Sequence, residues 1–481
     1  MNQKTLSAIL LFAILLVGAY ALSRVFPPTT PVDLPPIAMD GYLDEWEAYP
    51  LVHTDPAGDA GFSGLDFGAL KVAEDETHVY IYVELGQETN LQTDSGVVLE
   101  LSTDTGSLTY NFGLRRGRWN GEQIRHEDIG LVTAPTVTSD TFEIALAKDA
   151  LPLGDALFSS DTFTFAFHEQ SDENDLDADH IEPQTHTFSE TPSPPPEPLS
   201  LAKTDPTHLR VVSYNVLRDN FTDDDYEAYF ERILLALDPD VIGFQELYSS
   251  SAKRVERRLE EIFPDVDWYV VKGGDTLTAS RYPIIQRWAN TFRPLLGAFT
   301  PALIQVNDDT QILLFNAHLR CCDDDEGRQT QVDSFAALLR DMHIPDQGIE
   351  VPENLPLVLV GDLNLVGDAQ QLDTLLNGNI QGEERFGEDA LPDWDDSPLT
   401  DLVSRHTNSR MGYTWEDYGS GFSPGRLDFI IYTDSVLDVA HHYILHTRTM
   451  TDEQLAQYGL QRDDVASASD HLPHVVDFVL P

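Results

Sequence analysis

Lysine is scarce in this chain, with 6 residues in 481. Lysine and arginine together number 29 against 82 aspartates and glutamates, a formal net charge of −53 at pH 7. A surface so poor in positive charge repels nucleic acid and anionic membranes, which excludes a broad, non-specific nucleic-acid-binding face. High acidity with little lysine also suits a protein that works in concentrated salt, where screening removes much of the self-repulsion. Cysteine is nearly absent: Cys321 and Cys322 are adjacent and alone, so there is no disulfide framework. They read as two small thiols near a strand end, or as a vicinal disulfide in an oxidising compartment; soft ligands nearby are too few for zinc. No G-x-S-x-G nucleophile motif occurs, and no internal repeat. Long apolar runs are lacking except for Leu6–Leu22, which follows Lys4 and precedes Arg24. That run is about 17 residues, at the short edge of a membrane span. With Ala19-Tyr20-Ala21 as a small-x-small triplet, residues 1–22 are expected to be a signal peptide or an uncleaved membrane anchor. Either way the rest of the chain is expected to be exported: periplasmic, cell-surface or extracellular.

Apolar residues make up 41% of the chain and aromatics 10%, enough to build real cores. The length suggests two or three domains. Thr191-Pro192-Ser193-Pro194-Pro195-Pro196-Glu197-Pro198 marks a boundary, and 190–207 reads as a Pro-rich, semi-rigid linker. Before it, over 37–189, segments such as Val97-Val98-Leu99-Glu100-Leu101 and Thr162–Phe167 alternate at period two between turn residues, which predicts an all-β sandwich. After it, over 208–481, short apolar strands alternate with helical periods at Tyr226–Leu237, Ala252–Phe263 and Arg328–Met342, which predicts a layered α/β fold. Two self-sufficient cores joined by a spacer imply that the second would be soluble and active without residues 1–200.

The strands of the second half end in residues of catalytic type. In order they are Ser213-Tyr214-Asn215, Phe244-Gln245-Glu246, Asn316-Ala317-His318, Gly361-Asp362-Leu363-Asn364, Leu427-Asp428-Phe429 and Ser469-Asp470-His471. Asn215, Glu246 and Asp470 offer hard oxygens suited to Mg²⁺ or Mn²⁺, and Ca²⁺ stays open. With no nucleophilic Ser or Cys motif, water is the expected nucleophile and a metal the expected charge stabiliser.

This constellation resembles the endonuclease/exonuclease/phosphatase superfamily, with all six motifs in order across about 208–481. Ala279-Ser280-Arg281-Tyr282-Pro283-Ile284 is similar to its S-R-[FY]-P-[IL] segment, and Arg328 with Gln331 to the helix after its histidine motif. His474 stands where an aliphatic residue is usual, and the Cys-Cys loop with Asp323–Glu326 is local decoration. The resemblance implies a deoxyribonuclease-I-like four-layer α/β sandwich, two packed sheets flanked by helices. It implies that Glu246, helped by Asn215 and Asp470, holds a divalent cation against a phosphate oxygen. Asp362 would orient the attacking water, with Asn364 donating to the phosphate. Asp428 would fix the tautomer of His471, and His318 would be a second imidazole over the phosphate. How the general-base role divides between Asp362 and His471 stays open. Arg218, Arg281, Arg320 and Arg426 lie in or near the motifs and are candidates for an anion-attracting mouth.

In the first half, Ile37-Ala38-Met39-Asp40-Gly41-Tyr42-Leu43-Asp44-Glu45-Trp46 resembles the entry of family-9-like carbohydrate-binding modules. Trp119 reads as an exposed hairpin tip able to stack a sugar, Trp46 as core, and Asp55, Asp59 and Asp66 as a calcium or solvated-loop cluster. The reading is an exported, metal-dependent phosphoesterase acting on a phosphodiester or phosphomonoester, with a polysaccharide or cell-surface glycan as a candidate partner of the β domain and a monomer expected. A secreted nuclease and an inactive, sugar-tethered binding protein are the rivals. The substrate class is not fixed by these residues.

Overall fold

The computed structural model describes residues 34–56, 58, 64–93, 95–170, 178–288, 298–344 and 351–481. The apolar run at 6–22 and Asp59 lie outside the described residues. Among the described residues no helix is long and apolar enough to cross a membrane. Residues 37–481 form one compact unit.

The N-terminal region consists mostly of strands. One sheet is ordered His53–Thr54, Ala69–Glu74, His78–Thr89, Ser139–Ala147, Val132–Ala134; the other is ordered His180–Thr187, Thr162–Glu169, Val97–Ser102, Ser107–Asn111, Arg116–Trp119, Glu122–Ile124. Period-two alternation sends Val79, Ile81 and Val83 of the first sheet and Leu99, Leu101, Phe163 and Phe165 of the second into one shared apolar cluster. The same alternation overturns the expectation for Trp119. In Arg116–Trp119 the arginines face solvent and Trp119 faces inward, 1% exposed, as part of that cluster. It presents no sugar-stacking face. Trp46 is core, donating Nε1 to Glu143 at 3.0 Å. Asp55 lies beside His53, and both carboxylate oxygens of Asp66 accept from Gly58 N, so Asp66 closes a loop.

The C-terminal region has the deoxyribonuclease-I-like fold, with two packed six-stranded sheets. Six strands carry the site: β1 (Leu209–Asn215), β2 (Val241–Gln245), β3 (Gln311–His318), β4 (Leu357–Asp362), β5 (Asp428–Tyr432) and β6 (His474–Val479). β2, β1 and β6 are neighbours in one sheet; β3, β4 and β5 are neighbours in the other. Strands covered on both faces read as continuous apolar runs, and β1, β2, β4 and β5 are buried at every position. Val211, Val241 and Val476 pack against Leu314, Val358, Val360 and Ile430 between the sheets. Helices Glu227–Leu237 and Ala252–Ile262 cover the outer face of the first sheet, and helix Asp325–Met342 covers that of the second. Several arginines are consumed in ion pairs: buried Arg210 binds Asp477 through two bonds of 2.6 and 2.7 Å, and the partly buried Arg232 binds Asp464.

The Pro-rich segment does not hold two bodies apart. Glu76 N donates to Ser193 O, Arg410 Nη2 to Pro194 O, Arg405 Nη2 to Glu197 O and Leu199 N to Thr407 O. Arg410 also pairs with Asp75 at 3.0 Å. Ile37, Met39 and Trp46 share an apolar cluster with Met411, and Met39 exchanges backbone hydrogen bonds with Arg410 and Gly412. The expected spacer is therefore laid down between the β region and the α/β region, which share buried surface.

Candidate active site

Strand register assembles one side of the site. β3 and β4 are parallel with His318 opposite Asp362, and β4 and β5 are antiparallel with Asp362 opposite Asp428. Three side chains from distant sequence thus stand in one row. In the other sheet β1 and β2 are parallel with Asn215 opposite Gln245, so Glu246 follows immediately at the same end. His471 enters just before β6, which pairs antiparallel with β1.

Backbone conformations with positive φ fix the site on both sheets. Gly361 has φ +148°, and a Cβ there would stand 1.9 Å from Ala317 O, so the residue before Asp362 must lack a side chain. Glu246 itself adopts φ +62°, as do Leu217, Arg218 and Asp219 at +46°, +52° and +70°. This left-handed backbone costs energy that the surroundings must offset. In return it aims amides at the site: Arg218 N donates to Glu246 Oε2 at 2.9 Å and Leu217 N to Asn215 Oδ1 at 3.1 Å.

Asp362, 2% exposed, is the centre. Its Oδ2 accepts from Asn215 Nδ2 at 2.9 Å and lies 3.6 Å from His318 Nε2 and 3.7 Å from His471 Nε2. Its Oδ1 accepts from Asn364 N at 3.0 Å. Each imidazole is held from behind by its own carboxylate: His471 Nδ1 lies 2.7 Å from Asp428 Oδ2, and His318 Nδ1 lies 2.6 Å from Asp275 Oδ2. Asp428 is oriented in turn by Thr414 Oγ1, which accepts from Asp428 N at 2.8 Å.

Charge follows this geometry. Burial disfavours the imidazolium of His471, but Asp428 and Asp362 outweigh it and raise the pKa to about 10. Burial likewise opposes the charge on His318, but its hydrogen bond to Asp275 and the charge of Asp362 raise its pKa to about 9. Burial pushes the Asp362 carboxyl upward, and the charge of His471 opposes it. Near neutral pH both imidazoles are protonated and their Nε2 atoms point donors at one place.

A cavity of about 930 Å³ opens over this centre, lined by Glu246, Asp275, His318, Asp362, Asn364, Asp470 and His471. Asn215 and Asp428 sit behind that lining. Asn215 turns Nδ2 to Asp362 and its Oδ1 accepts from Leu217 N, so it orients Asp362. Asn364 spends Nδ2 on Leu319 O at 3.2 Å. Asp470 takes Trp415 Nε1 on Oδ2 at 3.1 Å, while its Oδ1 is buried with no hydrogen-bond partner.

The four arginines part company. Arg320 lines the cavity and pairs with Asp324; Arg218 is exposed beside Glu246. Arg281 is not at the mouth. Its strand, Leu277–Ser280, runs antiparallel to β2 with Ser280 opposite Val241, so Arg281 emerges at the far end, pairs with Asp238 and lies over Phe263 and Trp268. Arg426 is partly buried, paired with Asp401 and stacked on Phe429 in a structural ion pair.

Sequence reasoning missed Asp275, Thr414, the Trp415 bond to Asp470, and Tyr248, which lines the cavity at 55% exposure. A signal for Asp275 exists only as a demand: a working imidazole needs a partner on its other nitrogen. With 82 acidic residues, that demand cannot choose one.

A family model for the endonuclease/exonuclease/phosphatase family matches residues 212–471, more than half of the chain. This chain belongs to the endonuclease/exonuclease/phosphatase family. Among solved structures it is similar to TDP2 of D. rerio in complex with a single-strand DNA product, at 17% identity and TM-score 0.37 over 57% of this chain and 99% of that one. It is also similar to sphingomyelinase C from Streptomyces griseocarneus, at 14% identity and TM-score 0.32 over 56% and 99% of the two chains. Beta toxin from Staphylococcus aureus, with bound magnesium ions, matches at 14% identity and TM-score 0.32 over 56% and 99%. No curated protein sequence matches this chain.

Proposed function

We propose that this protein hydrolyses a phosphodiester or phosphomonoester by attack of water, with a divalent cation, outside the cytoplasm. The observation that carries the reading is Asp362 set between two imidazoles, each with its own carboxylate, over a cavity that Glu246 and Asp470 also line. Asp362 is the group able to accept a proton from water, since His471 already holds one near neutral pH. His471 and His318 then act as donors, one to a phosphoryl oxygen and one toward the departing oxygen, where negative charge develops. Asn215 and Asn364 N keep the Asp362 carboxylate in place.

The residues present fit a hard cation. Among the described residues no three His, Cys, Asp or Glu side chains form a ready cage. Mg²⁺ needs none, because it binds through one or two carboxylates and keeps several waters. The partnerless Asp470 Oδ1 and the backbone-set Glu246 carboxylate are such donors. They would hold the ion, which when bound supplies charge stabilisation at the phosphate.

The reading is tested by hydrolysis of bis-p-nitrophenyl phosphate and p-nitrophenyl phosphate with and without a chelator. Turnover that needs Mg²⁺ or Mn²⁺ is expected; no turnover with any divalent ion would sink it. Glu246→Gln removes a charged donor and little volume, so it should lose most activity and regain part of it as Mg²⁺ is raised. Wild-type rates at low Mg²⁺ would take Glu246 out of the ion's shell.

Asp275→Asn should move the alkaline limb of the kcat/KM profile. The proton on His318 is held below pH about 9 and lost as pH rises through it. Without the Asp275 charge that loss begins at lower pH, by about one unit or more, the scale of one nearby opposite charge. An unmoved limb would remove His318 from the donor role.

A further inference from the structure

The α/β region does not build the active-site cavity alone. Asn90, Gln92, Thr93, Thr136 and Thr138 of the N-terminal β region line it together with Glu246, His318 and Asp362. This wall is fastened to the loops that flank the catalytic centre. Asn90 Nδ2 donates to Val366 O at 2.8 Å, Thr136 Oγ1 to Leu365 O at 2.9 Å and Thr138 N to Gly367 O at 2.8 Å, all in the segment just after Asn364. Ser423 N donates to Gln92 Oε1 at 2.8 Å, in the segment just before β5.

Resting on the phosphoesterase reading, we infer that the N-terminal β region is a selectivity wall: it admits a phosphoester on a small molecule or at a chain end and denies the site to phosphodiesters inside a duplex. The cavity of about 930 Å³ has the size of a small-molecule site. Recognition of duplex DNA instead uses about 1,000–2,500 Å² of protein surface, with phosphate contacts along the backbone to fix register. Here the β region covers the segments at 365–367 and 423, so the cavity is walled along that side. Asp323, Asp325 and Asp368 line the same cavity and add repulsion toward neighbouring phosphates. Polar wall residues spend hydrogen bonds on the flanking loops, so the wall acts by shape.

The experiment compares the full-length protein on three substrates with Mg²⁺: bis-p-nitrophenyl phosphate, a short end-labelled duplex, and closed circular plasmid, which has no ends. Each is run at 0.1 M and 1 M KCl, because at 1 M the Debye length falls to about 3 Å and charge repulsion is largely removed. Nicking of the circle should have kcat/KM at least about 100-fold below that of the small diester at both salts. Release of terminal nucleotides from the duplex assigns the chain end; an untouched duplex assigns the small molecule. A gap under about 100-fold in 1 M KCl overturns the wall. The double variant Asn90→Ala, Gln92→Ala loosens the wall and should raise the ratio of circle nicking to small-ester turnover by about tenfold; an unmoved ratio in the folded variant also overturns it. If that variant fails to fold, the wild-type comparison at 1 M KCl decides. Failure to hydrolyse the small esters at all would reject the phosphoesterase reading, and the wall with it.

Discussion

Asparagine in place of Asp362 should lower kcat by about 10²–10⁴, the range for a lost acid–base group, while the protein stays folded. Asparagine fills nearly the same volume and its one oxygen can still accept from Asn364 N, but its Nδ2 then faces the Asn215 Nδ2 donor, so one of the two bonds is lost. What it cannot do is take a proton or balance two imidazolium charges. Asp362 also contributes to the raised pKa values of His318 and His471, so the variant should lose those protons at lower pH, and its residual rate should fall earlier on the alkaline side. Single-turnover rates across pH measure both effects. A variant retaining more than a tenth of the wild-type kcat would show that Asp362 is not the proton acceptor.

Removing residues 1–200 should cost both solubility and activity, against the expectation of two self-sufficient bodies. The cut exposes Met411 and the partly buried Tyr413, which pack in the cluster of Ile37, Met39 and Trp46. It leaves Arg410 without Asp75. Newly exposed apolar surface of this kind promotes aggregation. The cut also frees the segment between Trp415 and Gly425. There Arg125 Nη2 holds Tyr418 O and Ser420 O, and Arg115 lies 4.2 Å from the centre of the Phe422 ring. Trp415 carries the hydrogen bond to Asp470, so a loosened segment disturbs a candidate metal donor. Soluble material should show kcat/KM on bis-p-nitrophenyl phosphate at least about tenfold lower, the effect of small displacements on positioned groups. A soluble truncated protein with full activity would show that the β region is dispensable.

The candidate row was legible because its members stand at the ends of short, largely apolar strands: His318 and Asp362 end β3 and β4, and Asp428 begins β5. Leu357-Val358-Leu359-Val360 must be buried, and the Gly361-Asp362 that follows must meet whatever the neighbouring strands present. Direction along a strand was not legible. Arg281 stands next to a motif-like segment, yet its strand is antiparallel to β2, which puts it at the opposite end of the sheet. Trp119 shows a pattern that was available: Arg116 and Arg118 alternate with Gly117 and Trp119, and arginines rarely point into a core. Asp275 was beyond reach, since its bond to His318 spans separate loops and strands and leaves no local mark. The docking of the Pro-rich segment was hidden for a related reason. Proline content fixes stiffness, but contact with Arg410 and Arg405 depends on where those side chains arrive in space.

The internal arginine pairs bear on the ions around the molecule. Arg210–Asp477, Arg232–Asp464 and Arg426–Asp401 cancel within the fold, each arginine paired with a buried or nearly buried carboxylate. Their positive members are therefore spent on carboxylates, and the formal charge of −53 leaves a large negative excess at the surface. Such a surface gathers an atmosphere of cations, and divalent ones are enriched more strongly than monovalent ones in the same field. At low ionic strength the local concentration of Mg²⁺ near the cavity mouth should exceed that of the bulk. At high salt monovalent ions displace it. The bulk Mg²⁺ required for half-maximal turnover should accordingly rise with KCl, so that the acidity of the whole surface tunes how much free metal the medium must provide.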